Sequence, residues 1–162
     1  MRRRQFLSRL ALAGAAAGMP AAASADTGAG DIVEKFAAAL TARDLKAFGD
    51  LFAGDYINNQ RSAAAPAPSG KSAKTATVEF FQNRVDAMSD LSVTIEASLA
   101  SGEMTAASFV YEGTHDAPYY GFQPTGRKLR FTSCDIFRLR GGLIAEHWGM
   151  GDIAGLIAQL KR

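Results

Sequence analysis

At Leu91 the spacing of apolar residues along this chain changes from about four to two, and that switch limits the possible folds more than any other feature. Upstream, Ile32, Phe36 and Leu40 recur every four residues behind Asp31 and Glu34, which predicts an amphipathic helix opened by a capping-box-like pair. Asp44 is placed to cap a second short helix with Leu45, Phe48, Leu51 and Phe52 as its buried stripe, ending near Gly54. Tyr56-Ile57-Asn58 reads as a brief extended piece, and residues 61–74, with Pro66, Pro68 and Gly70 and no periodicity, as a low-complexity surface loop. A third helix is predicted from about Thr75 to Met88, facing Val78, Phe81, Val85 and Met88 inward. Downstream, Leu91 to Leu99, Met104 to Thr114, Lys128 to Leu139 and Leu143 to Met150 read as four long strands. Ser101-Gly102 and Gly141-Gly142 supply tight hairpins, and Asp152 caps a terminal helix bearing Ile153, Leu156, Ile157 and Leu160.

Helices followed by a run of antiparallel strands give an α+β class in which the early helices cover one face of a curved sheet. The expected shape is a cone with an apolar cavity, a roll of the cystatin-like kind. The segment Asp116 to Gly126, carrying Tyr119, Tyr120 and Phe122, joins two strands where the mouth of the cone would lie, and Gln123-Pro124-Thr125-Gly126 fits a type I turn.

Residues 1–25 read as an export signal: a basic start, a mildly apolar stretch from Leu10 to Met19, then Pro20 and Ala23-Ser24-Ala25. Arg3-Arg4-Gln5-Phe6-Leu7 resembles a twin-arginine signal, with an ordinary secretory leader or a retained anchor as the alternatives. Cleavage after Ala25 would leave one domain, residues 26–162, in the periplasm or outside the cell. Four of the 18 basic residues lie in this leader, so the mature chain carries fourteen bases against 16 acids. A net charge of that sign argues against nucleic acid as partner. After cleavage no apolar run suits a membrane span. One cysteine, Cys134, excludes an internal disulfide and a cysteine zinc cluster, and inside a strand it reads as a small buried hydrophobe.

Gly113-Thr114-His115, Pro124-Thr125-Gly126-Arg127, Asp135-Ile136-Phe137-Arg138, Gly142-Leu143-Ile144-Ala145-Glu146-His147-Trp148 and Asp152, in this order and spacing, resemble the SnoaL-like polyketide and ester cyclases. That family has the nuclear-transport-factor-two-like, or ketosteroid-isomerase-like, cone fold, and the resemblance covers about residues 31–161. It implies a cofactor-independent enzyme that closes a ring by intramolecular aldol condensation, with an aspartate as acid/base; Asp135 occupies the matching position. The polar position after the second helix, often His in the family, is Asn58-Asn59 here.

The residues themselves point the same way. Asp135 shares a strand face with Phe131, Ser133 and Phe137, a setting among aromatic rings that suits a carbon-acid base or general acid, although an ion pair with an arginine of a neighbouring strand would also explain it. Its partner depends on hairpin register. A two-residue Gly141-Gly142 turn sets Asp135 opposite Trp148 with Glu146 diagonal to it; a three-residue loop sets Asp135 opposite His147, making an acid/base dyad, and leaves Glu146 to Arg138 on the other face. His115 ends a strand beside the lid, where it can bond a substrate oxygen or merely the loop backbone. Phe81, Tyr111, Tyr119, Phe137 and Trp148 are candidate walls for a flat ligand, Glu146 a candidate contact, and Asn59 a group that can orient a carbonyl. Neither a metal nor another cofactor is expected. The expected partners are a small apolar carbonyl or aromatic ligand and a second copy of the chain, paired through the exposed sheet face. A ligand- or partner-binding module, or a hydrolase or dehydratase of the same fold, are the rival readings.

Overall fold

The computed structural model describes residues 27–60 and 70–162; residues 1–25, expected to be an export signal, and most of the Ala/Pro-rich loop lie outside them. In chain order the elements are α1 (Thr27–Thr41), α2 (Leu45–Asp50), β1 (Phe52–Asn58), α3 (Ala73–Ala87), β2 (Ser92–Ser101), β3 (Met104–Thr114), β4 (Lys128–Arg140), β5 (Leu143–Gly151) and α4 (Ile153–Leu160). One sheet of order β1-β5-β4-β3-β2 carries the helices against its inner face.

The helices form where the four-residue spacing places them, with shifted ends. α1 already runs from Thr27, so Asp31 and Glu34 sit within it and do not cap it. Asp44 does cap α2, accepting from the Ala47 amide at 2.8 Å, but α2 stops at Asp50, and Phe52 to Asn58 continue as a strand through Gly54. Ser72 caps α3 and Asp152 caps α4, each accepting an amide three residues on. Between α1 and α2, Arg43 takes the left-handed conformation (φ 59°) and its guanidinium donates to the carbonyls of Val85 and Met88 at 2.8 and 2.9 Å, tying this corner to the end of α3.

Phe36 of α1 is the centre of the core. Its ring lies 5.0 Å from Phe48, 5.4 Å from Phe81, 5.0 Å from Phe109 and 5.4 Å from Phe137, so one aromatic side chain joins three helices to two strands. Along β3 and β4 the odd-numbered residues point inward and the even ones outward.

Strands β2 to β5 form the expected antiparallel meander, but the sheet has a fifth member. The segment read as three extended residues is a seven-residue edge strand, β1, that pairs with β5 in parallel. Asp55 and Ile57 face outward while Tyr56 is buried, and so short a piece of alternation gives little signal by itself.

The β4–β5 register is neither of the two alternatives, since Asp135 stands opposite Gly149 and not opposite Trp148 or His147. The turn is the two-residue one, pairing Arg140 with Leu143 and Leu139 with Ile144; a bulge at Ala145 then slips β5 by one residue, so that Arg138 faces Glu146, Phe137 faces His147 and Asp135 faces Gly149. An unbroken two-residue register would have turned Glu146 and Trp148 inward. The extra residue turns His147 inward in their place.

Cys134 is exposed on the outer face opposite Met150, and does not pack inside as expected. Ile136 and Met150 are exposed on the same face, Met150 at 79%. Among the described residues no helix is long and apolar enough to cross a membrane.

Candidate active site

Asp135 and His147 meet inside the cone, 4% and 3% exposed, with His147 Nε2 2.7 Å from Asp135 Oδ1. They are diagonal neighbours on the inner face, and this contact is possible because the residue directly opposite Asp135 is Gly149. A Cβ there would overlap Asp135 Oδ1 and stand 2.6 Å from His147 Nε2. The second carboxylate oxygen accepts from Ser133 Oγ at 2.5 Å, and Ser133 Oγ lies 3.5 Å from the hydroxyl of Tyr111.

On the other side of the imidazole, Tyr56 OH lies 3.1 Å from His147 Nδ1; Thr77 Oγ1 lies 3.5 Å from Tyr56 OH, and Asn58 Nδ2 3.4 Å from Thr77 Oγ1. The Asn58 amide donates to Thr77 Oγ1, and which of Tyr56 OH and His147 Nδ1 donates to the other depends on the tautomer of the imidazole. With the ring proton on Nε2, Tyr56 donates to Nδ1 and the Asp135 carboxylate is bonded by His147 and Ser133 together. Burial pushes the Tyr56 phenol up to about 12, with the nearby Asp135 charge adding to the effect, so Tyr56 keeps its proton throughout the physiological range. Burial likewise raises Tyr111 above the usual phenol range, although the Arg84 charge opposes it.

Aromatic rings wall this polar row. Phe137 lies 5.0 Å from the His147 ring, and Tyr111 stacks on Phe131 at 5.2 Å with 6° between planes. Phe81 is buried in the core beside Phe36. In this conformation the rings close the interior to solvent at Asp135; two concavities, of about 360 and 590 Å³, lie at Asp90–Lys128 and between α1 and β2, and neither reaches the dyad. Tyr119 reaches in from the loop 116–126, where its backbone pairs with Phe122, and its hydroxyl accepts from Arg84 Nε at 3.2 Å.

Three expected contacts lie elsewhere. Glu146 faces outward, paired with Arg138 at 2.9 Å; Trp148 stands opposite Ile136 on the same outer face; and Asn59 reaches Glu146 Oε2 at 3.2 Å along the sheet edge. The Ala145 bulge accounts for the outward faces of Glu146 and Trp148. His115 is on the inner face and fully buried, but the eight residues from Ala107, the partner of Asp135, to His115 span about 26 Å of strand, so the two do not form one site. Its Nδ1 is 3.0 Å from Thr125 Oγ1 and accepts from the Thr125 amide at 3.3 Å, which makes it an organiser of the loop. Patterning alone had not singled out Tyr56, Arg84 or Gly149. For Arg84 a signal existed: it falls three residues after Phe81 on the inward stripe of α3, where an unpaired charge is costly.

The same architecture recurs in solved structures. TsrD from Streptomyces laurentii superposes with a TM-score of 0.72 at 23% identity, covering 85% of this chain and 98% of that one. IdmH from Streptomyces antibioticus, a candidate polyketide cyclase, gives 0.70 at 26% identity over 82% of this chain and 98% of its own. A protein of ketosteroid-isomerase-like fold from Catenulispora acidiphila gives 0.60 at 20% identity, covering 81% and 92%. No curated protein sequence matches the chain. The family model for SnoaL-like polyketide cyclases matches residues 30–160, nearly the whole described fold, and the chain belongs to that family.

Proposed function

We propose that this protein is an exported, cofactor-independent cyclase-type enzyme that removes a proton from the carbon beside a carbonyl in a small apolar keto ester and returns it after ring closure or isomerisation. The observation that carries this reading is the buried carboxyl group of Asp135, held by Ser133 Oγ on one oxygen and by His147 Nε2 on the other and so aligned to take up and return a proton. Asp135 takes the proton, the electron pair of the C–H bond moves onto the carbonyl oxygen, and the resulting enolate carbon attacks a second carbonyl of the same molecule. The alkoxide formed there recovers the proton from Asp135. His147 holds the carboxylate in position through the change of charge. Turnover of aromatic β-keto esters, followed as ring-closed or isomerised product, tests the reading; saturable binding with no product from any of them favours a ligand-binding module.

Tyr56 positions His147. Tyr56→Phe removes the hydrogen bond at Nδ1 and is expected to lower turnover about tenfold, the equivalent of one hydrogen bond of about 1 to 1.5 kcal/mol, without moving substrate affinity. Steady-state kcat and KM check this, and a change confined to KM contradicts it.

Export rests on the leader, in which Arg3→Lys with Arg4→Lys is expected to trap the precursor inside the cell; normal export of that variant contradicts the twin-arginine route. The exposed Ile136 and Met150 beside Trp148 support pairing of two copies through the outer sheet face. Sedimentation at the mass of two chains is expected, and a single-chain mass at micromolar concentration contradicts it.

A further inference from the structure

Among the described residues, Arg84 is a buried charged side chain that the acid/base chemistry leaves without a task. It is 3% exposed, and its guanidinium carbon lies 4.4 Å from the centre of the Tyr111 ring and 5.0 Å from those of Phe80, Phe81 and Phe131. Among the described residues it makes no ion pair and one side-chain hydrogen bond, from Nε to the hydroxyl of Tyr119. A guanidinium has five N–H donors and remains charged at any working pH. Ring faces offset part of the desolvation of a cation, but they supply no acceptor for the Nη groups. A methionine or leucine on this stripe of α3 would pack among the same rings without that penalty.

The surroundings indicate what such a cation is for. Its one partner, Tyr119, belongs to the loop that covers this end of the interior, in a tight turn where Tyr120 takes the left-handed conformation (φ 49°) next to Gly121 (φ 80°) and the Tyr119 and Phe122 backbones bond each other. Left-handed backbone at a non-glycine residue persists only where its surroundings hold it, and such residues cluster at ligand clamps and active sites. On the far side, the Tyr111 ring that Arg84 covers ends in the hydroxyl beside Ser133, and Ser133 bonds Asp135. Arg84 and Asp135 thus stand at the two ends of one tyrosine and one serine.

We infer that Arg84 recognises a carboxylate that the substrate carries in addition to its keto ester, held about one aromatic ring away from the carbon that Asp135 deprotonates, with the Tyr119 hydroxyl as the contact it exchanges. The planar fork of the guanidinium suits a two-oxygen anion, and the ring faces suit the flat skeleton that carries it. This rests on the acid/base reading only for the position of the reacting carbon; anion recognition is measured by itself.

The probes are 2-naphthoate and methyl 2-naphthoate, titrated calorimetrically into the wild-type protein, Arg84→Met, Arg84→Lys and Asp135→Asn. The wild type is expected to bind the acid at least tenfold more tightly than the ester. Arg84→Met brings the two within about twofold of each other, Arg84→Lys keeps a reduced preference, and Asp135→Asn keeps the full one. Should Arg84→Met fail to fold, the wild type still decides: its Arg84 Nε–H resonance shifts on saturation with the acid and stays in place with the ester. Equal affinities, no saturable binding of 2-naphthoate, a preference that survives in Arg84→Met, or an unmoved Arg84 resonance each overturn the inference. A preference lost in Asp135→Asn overturns it too, because Arg84 would then serve as the distant counter-ion of Asp135. Failure of the acid/base reading looks different: turnover unaffected by Asp135→Asn while the acid preference persists.

Discussion

Asp135→Asn is expected to lower turnover of aromatic β-keto esters by about a hundredfold to ten-thousandfold while the melting temperature stays nearly unchanged. The amide fits the site. Its oxygen accepts from His147 Nε2–H as the carboxylate does, and its nitrogen donates to Ser133 Oγ, so the buried polar atoms remain paired and the shape is kept. Only the basic electron pair is removed. An aspartate that merely helped to hold the sheet together would give the opposite pattern, a lower melting temperature with turnover retained, so the two measurements taken together separate the roles.

Gly149→Ala is the second large effect. The added methyl has no space, because Asp135 Oδ1 and His147 Nε2 already occupy the position of a Cβ. Overpacking of this kind costs about 1 to 3 kcal/mol of stability. It also forces the carboxylate and imidazole apart, and displacement of a reacting group by about 1 Å is enough for about a hundredfold loss of rate. Turnover of Gly149→Ala within about twofold of wild type, with the melting temperature unchanged, would mean that the Asp135–His147 contact is not needed in this arrangement. The glycine is thus a functional residue by virtue of having no side chain, and not because its backbone needs a left-handed conformation.

The switch of period at Leu91 located the meander, and strand parity placed Asp135 among aromatic rings on the inner face, because alternation over thirteen residues of β4 is unambiguous. The partner of Asp135 was not legible to the same degree. Register depends on one residue, Ala145, whose bulge carries no glycine or proline to mark it, and that residue decides whether His147 or the pair Glu146 and Trp148 faces the interior. Tyr56 was missed for a related reason: a short edge strand owes its existence to pairing with β5, which is a tertiary fact, and its local pattern is too brief to show it. His115 has the correct parity and the wrong position along the strand. Pattern reports the face a side chain takes, whereas distance along a curved sheet follows only from the paired register. Arg84 was hidden by convention, since a charge within an apolar stripe is ordinarily read as lying at its solvent edge.

The central claim is that Asp135 and His147 act as one buried acid/base unit, and a double-mutant cycle in turnover tests it most directly. Asp135→Asn, His147→Gln and the combined variant are compared with the wild type at saturating β-keto ester, with melting temperatures recorded alongside. Groups that act as a unit are strongly non-additive, so the double variant is expected within about threefold of the slower single one. Losses that multiply, or single variants that fall in melting temperature while keeping wild-type turnover, would contradict the account.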